Sequence, residues 1–268
     1  MIHIIIASIE GRETSLLRLL ESIEFYFKDN FKIYVIRQYK QKKFHIIKEN
    51  IVIENIKNFG ASNARNVGIK LASVNALPDD YFFFPDDDCF FKDFLKIKDF
   101  SSYELILLDI KDDKSFRRLG RVSYSRRSAL FQFYKINCPR FIIKWSVLKN
   151  YRFNTRYGPG SAIPAAEETE LLGRVLVDNP KITHIQLASI IFHPYIEPSI
   201  DKVKDYAFAQ GFLLRDFYRN NRKLFLIYTK SIIRPFIGFM MSICSTSKRK
   251  YYQTRAQYII KGYFHDHS

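Results

Sequence analysis

The sequence is short of cysteine. Three occur in 268 residues, Cys89, Cys138 and Cys244, an odd number with no Cys-x-x-Cys pair. That argues against a disulfide framework and a structural zinc site, and favours a reducing compartment. No apolar run approaches the length of about 18 that a spanning helix needs. The longest candidate, Leu224 to Cys244, is broken by Lys230, Arg234 and Pro235 and suits an interfacial amphipathic segment better. The stretch Met1-Ile2-His3-Ile4-Ile5-Ile6-Ala7 lacks the basic region and apolar length of a signal peptide and reads as a strand. The Gly-x-Ser-x-Gly elbow, the phosphate loop with Gly-Lys-Ser/Thr and the dinucleotide Gly-x-Gly-x-x-Gly are absent. So are the RNP, zinc-finger and helix-turn-helix patterns of nucleic-acid readers.

Acidic residues are also scarce. Lys and Arg number 43 against 27 Asp and Glu, a formal net charge of +16. Such an excess points to an anionic partner: nucleic acid, a membrane surface or a phosphorylated substrate. Residues 201–268 alone hold 13 Lys or Arg against 4 Asp, so more than half of the excess lies in the last quarter.

Hydrophobic periodicity predicts a strand at residues 2–7 and a helix at 14–28, with Thr14 or Ser15 as N-cap. Strands are expected at 31–36, 51–56, 81–84 and 103–110, with a helix from about Asn63 to Ala72. Strands alternating with helices imply a mostly parallel α/β sheet. Residues 111–127 read as a polar, basic loop or ribbon, 141–148 and 182–192 as apolar segments, and 167–177 as a helix. A boundary near residue 200 separates a domain of residues 1–198 from a basic amphipathic helical region, 199–268. There Arg215, Arg219, Arg222, Lys223, Lys230 and Arg234 interleave with large apolar residues. Such a region suits an anionic membrane surface, or a packed appendage with a solvated basic face.

The most informative stretch is Phe82-Phe83-Phe84-Pro85-Asp86-Asp87-Asp88-Cys89. Three adjacent carboxylates follow a buried-strand pattern, at the strand end where open α/β sheets have their ligand crevice. They form either a solvated acidic turn or a site for a hard divalent cation, which would relieve their mutual repulsion. A second signal, Gly60-Ala61-Ser62-Asn63-Ala64-Arg65-Asn66-Val67-Gly68-Ile69, places a tight turn, a helix N-terminus with N–H groups open to an anion, and Arg65 within reach of one. Gly68 would let helix and sheet pack closely. A third, Gly158-Pro159-Gly160, followed by Ala166-Glu167-Glu168, is a helix start with acids favoured by the dipole, or a general base. His193, before Pro194, is a structural histidine or a metal ligand; His3, His45, His184, His265 and His267 show no pairing in the sequence. Cys89 has no evident His partner.

These three motifs, in this order, resemble the inverting family 2 glycosyltransferases of the nucleotide-diphospho-sugar transferase (GT-A) fold, over about residues 2–195. The subgroup most like it serves bacterial capsule, O-antigen or exopolysaccharide synthesis. The resemblance implies a Rossmann-like, mostly parallel sheet flanked by helices, with residues 1–110 binding a nucleotide sugar and 111–198 facing an acceptor. It implies that Asp88 binds Mn²⁺ or Mg²⁺ and that Asp86 contacts the donor's ribose or sugar and shares the metal, with Asp87 nearby. It places Arg65, with Ala7 and Ser8 at the end of the first strand, against the nucleotide. It gives Glu168, with Glu167 before it, the place of the base that family members fill with Asp. One departure is Arg37, where the family carries an Asp that reads the nucleobase; Gln38 beside it remains able to meet a pyrimidine edge.

The implied partners are a nucleoside-diphosphate sugar (a uridine one by expectation), a glycan or lipid-linked saccharide acceptor, and an anionic inner-membrane surface, with no nucleic acid. The implied location is the cytoplasm or the cytoplasmic face of the membrane. The rival readings are a non-catalytic protein that binds nucleotide sugar or nucleic acid, and a sugar-phosphate nucleotidyltransferase. The last lacks a Gly-rich basic loop in Ala7-Ser8-Ile9-Glu10-Gly11-Arg12.

Overall fold

The computed structural model describes residues 1–28, 30–38, 48–95, 97–117, 119, 130, 133–195, 197–242 and 246–265. Most of the ribbon expected at 111–127, together with Cys244, His45 and His267, lies outside them. Strands β1 (Ile2–Ile9), β2 (Phe31–Gln38), β3 (Ile51–Asn55) and β4 (Tyr81–Phe83) alternate with helices α1 (Glu13–Tyr26) and α2 (Ala61–Ser73). Then come β5 (Phe90–Phe91), β6 (Leu105–Asp112), β7 (Phe141–Lys144), α3 (Glu167–Asp178) and β8 (His184–His193). The eight strands form one sheet in the order β3-β2-β1-β4-β7-β6-β8-β5. β1 pairs in parallel with β2 and β4, as do β2 with β3 and β6 with β8; β7 runs antiparallel between β4 and β6.

β1 shows why the sheet forms. Its β-branched residues alternate between two faces. Ile4 and Ile6 join the core under α1, where Leu16, Leu19, Leu20 and Ile23 form the helix's buried stripe. Ile5 joins the opposite core with Ile69 of α2 and Phe82 and Phe84. Both faces are covered, so the middles of the strands, Ile4-Ile5-Ile6 in β1 and Tyr34-Val35-Ile36 in β2, are apolar on both sides. Gly68 sits where α2 meets β1, and a Cβ there would lie 2.3 Å from Ile5 Cγ2. The α1 N-cap is Arg12, not Thr14 or Ser15, and its side chain makes no capping bond, because it is engaged elsewhere. His3 is not solitary: it lies 3.3 Å from Asp80 and within reach of the Tyr34 hydroxyl, an interior network the sequence spacing hid.

Helices α4 (Ile200–Asn220), α5 (Arg222–Met241) and α6 (Thr246–Tyr263) follow the sheet. Phe212 and Phe217 of α4 and Leu224, Tyr228 and Ile232 of α5 share a core with Phe133 and with Leu171 and Leu172 of α3. The Phe217 and Tyr228 rings meet edge-on at 5.4 Å. Asp216 of α4 accepts a hydrogen bond of 2.5 Å from the Tyr157 hydroxyl, which ties the helices to the loop beside the site.

Candidate active site

The parallel strands β1 and β2 end together, and the chain beyond β4 continues alongside β1, so the acid cluster lies beside their last residues. Ser8, at the end of β1, is buried, and its hydroxyl donates to Asp87 Oδ2 at 2.9 Å. Ala7 precedes it, half-buried and in register with Ile36. Asp87 therefore turns inward, and burial pushes its carboxyl up to about 6 despite the Ser8 bond and nearby Arg12. Asp86 instead accepts from Arg65, and Asp88 from Arg12. Arg37 is buried in register with Ser8. Gln38 Oε1 accepts the Gly60 backbone N–H at 2.6 Å, so this oxygen braces the start of α2.

That start is closed by protein rather than left open. Ala61 N–H donates to Pro159 O at 2.9 Å, and the Ser62 hydroxyl donates to Tyr157 O at 2.6 Å. The expectation of anion-accepting N–H groups thus fails at Gly60 and Ala61, whose donors Gln38 and Pro159 already fill. Gly60 and Gly160 both have positive φ, and a Cβ on Gly160 would lie 3.2 Å from the Gly60 backbone. The Gly-Pro-Gly loop thereby docks on α2, and this docking brings α3 up to Arg65.

Arg65 joins the two acid groups. Its Nη1 donates to Glu167 Oε1 at 2.9 Å and its Nη2 to Asp86 Oδ1 at 3.0 Å. The side chain is 6% exposed, so this charge is spent on the two carboxylates. Ala166, before Glu167, adopts φ 76°, a left-handed conformation that costs a non-glycine residue about 1–3 kcal/mol and collects at functional sites. Glu167 faces Arg65, whereas Glu168 Oε2 has no hydrogen-bond partner among the described residues. Desolvation, and then the neighbouring Glu167, push the Glu168 carboxyl well above its usual range.

Glu168 lines a cavity of about 310 Å³ together with Tyr134, Lys135, Asn137, Arg140 and His193. His193 reaches it because β8 pairs antiparallel with β5: Phe192 opposes Phe90, so the next pair along is His193 and Cys89. Ligand atoms of Asp86, Cys89 and His193 lie within 4.8 Å of one another. This corrects the view that Cys89 lacks a His neighbour. Burial nevertheless holds the Cys89 thiol far above its usual pKa, which disfavours a thiolate nucleophile.

His193 Nε2 stands 3.1 Å from Asp88 Oδ1, off the line of a hydrogen bond, while Arg12 Nη1 donates to Asp88 Oδ2 at 2.6 Å. Burial alone would raise the Asp88 pKa; His193 and Arg12 outweigh it and hold the carboxyl well below the usual range. The donor set of Asp86, Asp88 and His193 fits a divalent cation. His193 lies close to both acids, within 4.8 Å of Asp86 and 3.1 Å from Asp88, and Asp88 Oδ1 is buried without an aligned donor among the described residues. Arg12 is the residue at the acid cluster that sequence reasoning missed; its only signal was a basic residue in the loop after β1.

The fold is GT-A-like: a mostly parallel α/β sheet flanked by helices, with C-terminal helices added. The crystal structure of S. aureus TarS 1–349 is similar, with a TM-score of 0.62 at 12% identity, covering 97% of this chain and 80% of that one. No family model matches the chain, and no curated protein does.

Proposed function

We propose that the chain is a metal-dependent, inverting glycosyltransferase. It would move a sugar from a nucleoside-diphosphate sugar, a uridine one by expectation, to a glycan or lipid-linked acceptor in cell-surface polysaccharide synthesis. One observation carries this reading: the cavity is lined both by Glu168, with a carboxyl oxygen unpartnered among the described residues, and by His193, which lies against Asp86 and Asp88. On this reading a base lines the cavity, and His193 links that space to the acids that would bind a cation. The fold likeness to TarS, a glycosyltransferase, supports the class.

The residues divide the reaction between them. Glu168, once deprotonated, takes the proton of an acceptor hydroxyl as that oxygen bonds to the anomeric carbon. The bond from that carbon to the diphosphate breaks as its electron pair leaves on the diphosphate. Attack from the opposite face inverts the centre, by the logic of single displacement at sugars. Asp86, Asp88 and His193 would hold Mn²⁺ or Mg²⁺, which when bound supplies positive charge beside the leaving diphosphate. Glu167 and Arg65 keep Glu168 and Asp86 in register. A thermal-shift panel of uridine, guanosine and thymidine diphospho-sugars with Mn²⁺ tests the reading. Stabilisation by one of them is expected; no shift and no hydrolysis with any would refute it.

A membrane-bound acceptor fits the C-terminal helices. In α5, Leu226, Lys230, Ile233, Ile237 and Met240 recur at spacings of three and four and are all exposed, with Met240 72% exposed. By length and composition this helix could cross a membrane. Its other side, Leu224, Ile227, Tyr228 and Ile232, is buried in the protein, which suits a helix lying on the surface. Residues 221–265 contain nine Lys or Arg and no Asp or Glu, and each basic residue near an anionic surface adds about 1 kcal/mol. The protein is expected to co-sediment with phosphatidylglycerol vesicles, less so as salt rises. Sedimentation no greater than with phosphatidylcholine would reject membrane contact.

A further inference from the structure

Asp88 is covered on both sides. Arg12 holds Oδ2 and His193 faces Oδ1. Arg12 Nη1 also lies 3.6 Å from Asp87 Oδ1, so one guanidinium spans two of the three acids. Arg12 differs from Arg65 in its setting: its side chain is 42% exposed against 6%. It stands on the turn after β1, where Gly11 has φ 85°, and makes no capping bond to α1. A cation binding Asp88 would meet this guanidinium on the same carboxylate, and like charges sharing one partner oppose each other. The guanidinium therefore needs another anion before Asp88 is fully available. A diphosphate is such an anion, and the planar fork of Arg suits phosphate oxygens.

We propose that Arg12 is shared between the metal-side acids and the donor diphosphate. It covers Asp88 while the site is empty and moves to the diphosphate when donor arrives, so cation and donor bind as a coupled pair. The inference rests on the glycosyltransferase reading. Arg12 acts as a diphosphate ligand and, through Asp88, as a positioning residue for the cation.

The two roles predict opposite shifts on one substitution, which a merely structural role would not produce. Calorimetry would follow Mn²⁺ alone, and then UDP, GDP, CDP and dTDP in saturating Mn²⁺, with the tightest nucleotide carried forward. In Arg12→Gln, Mn²⁺ alone is expected to bind at least about threefold tighter, as the competing charge is gone. The nucleotide is expected to bind about tenfold weaker, as one charge-assisted contact is lost. Arg12→Lys keeps the charge without the fork, so it should return Mn²⁺ binding to the wild-type value and recover only part of the nucleotide affinity. Unchanged or weaker Mn²⁺ binding in Arg12→Gln, or unchanged nucleotide binding, would overturn the Arg12 role while leaving the glycosyltransferase reading intact. If the wild type binds no nucleoside diphosphate with Mn²⁺, both fall together.

Discussion

Glu168→Gln is expected to lower sugar transfer by about 10²–10⁴-fold, the usual cost of removing a general base. Donor affinity should stay within about twofold, since Glu168 lies on the cavity wall and not among the acids proposed for the metal and diphosphate. The amide keeps the shape of the side chain and removes only its basicity. The same group sets the pH dependence. Glu168 is raised well above 4.5 by burial and by Glu167, so it is protonated at low pH and cannot accept the acceptor's proton there. The kcat/KM profile should therefore rise with pH, with an acid limb displaced above the ordinary Glu range of about 4.3. In Glu168→Gln that limb should vanish. Full transfer by the variant, or an unshifted limb in the wild type, would show that another group is the base. Glu167→Gln should behave differently. It weakens the ion pair to Arg65 at 2.9 Å in a buried setting, so a lower Tm should accompany its loss of activity.

Asp88→Asn is expected to reduce Mn²⁺-supported turnover by at least about 100-fold, more than the 10–100-fold typical of a residue one shell out from a metal. The expected loss is in cation affinity, read by calorimetry with Mn²⁺. Folding should be nearly unaffected, because Arg12 is 42% exposed and can turn to water once its partner is neutral. Asp87→Asn is the informative contrast. Asp87 is turned to Ser8 at 2.9 Å, so its substitution should leave cation affinity close to wild type. Equal losses for the two variants would mean that the acids act as one undivided cluster.

The legible parts of the site were the local ones. A run of buried aromatics ending in three acids marks a strand end, and the continuous apolar runs of the strands and the period-3.6 helices gave most elements to within a few residues. What stayed hidden depends on pairings distant in sequence. Arg65 meets Glu167 across 102 positions and Arg12 meets Asp88 across 76. No spacing rule encodes such meetings; they follow from the sheet order and from the Gly-Pro-Gly loop docking on α2. β5, two residues long, is too short for a periodic signal, yet its pairing with β8 is what carries His193 to the acids. The same limit applied to the start of α2, where the free N–H groups expected from a helix N-terminus are partly consumed by Gln38 and Pro159.

The central claim is that the acids after β4 and Glu168 form one nucleotide-sugar transferase site. It is tested most directly by nucleoside diphosphate release from the donor that the thermal-shift panel selects, with Mn²⁺ and with EDTA. The account predicts release that EDTA abolishes and that Asp88→Asn and Glu168→Gln each suppress. Release unaffected by EDTA and by both substitutions, or no release from any nucleoside-diphosphate sugar, would contradict it.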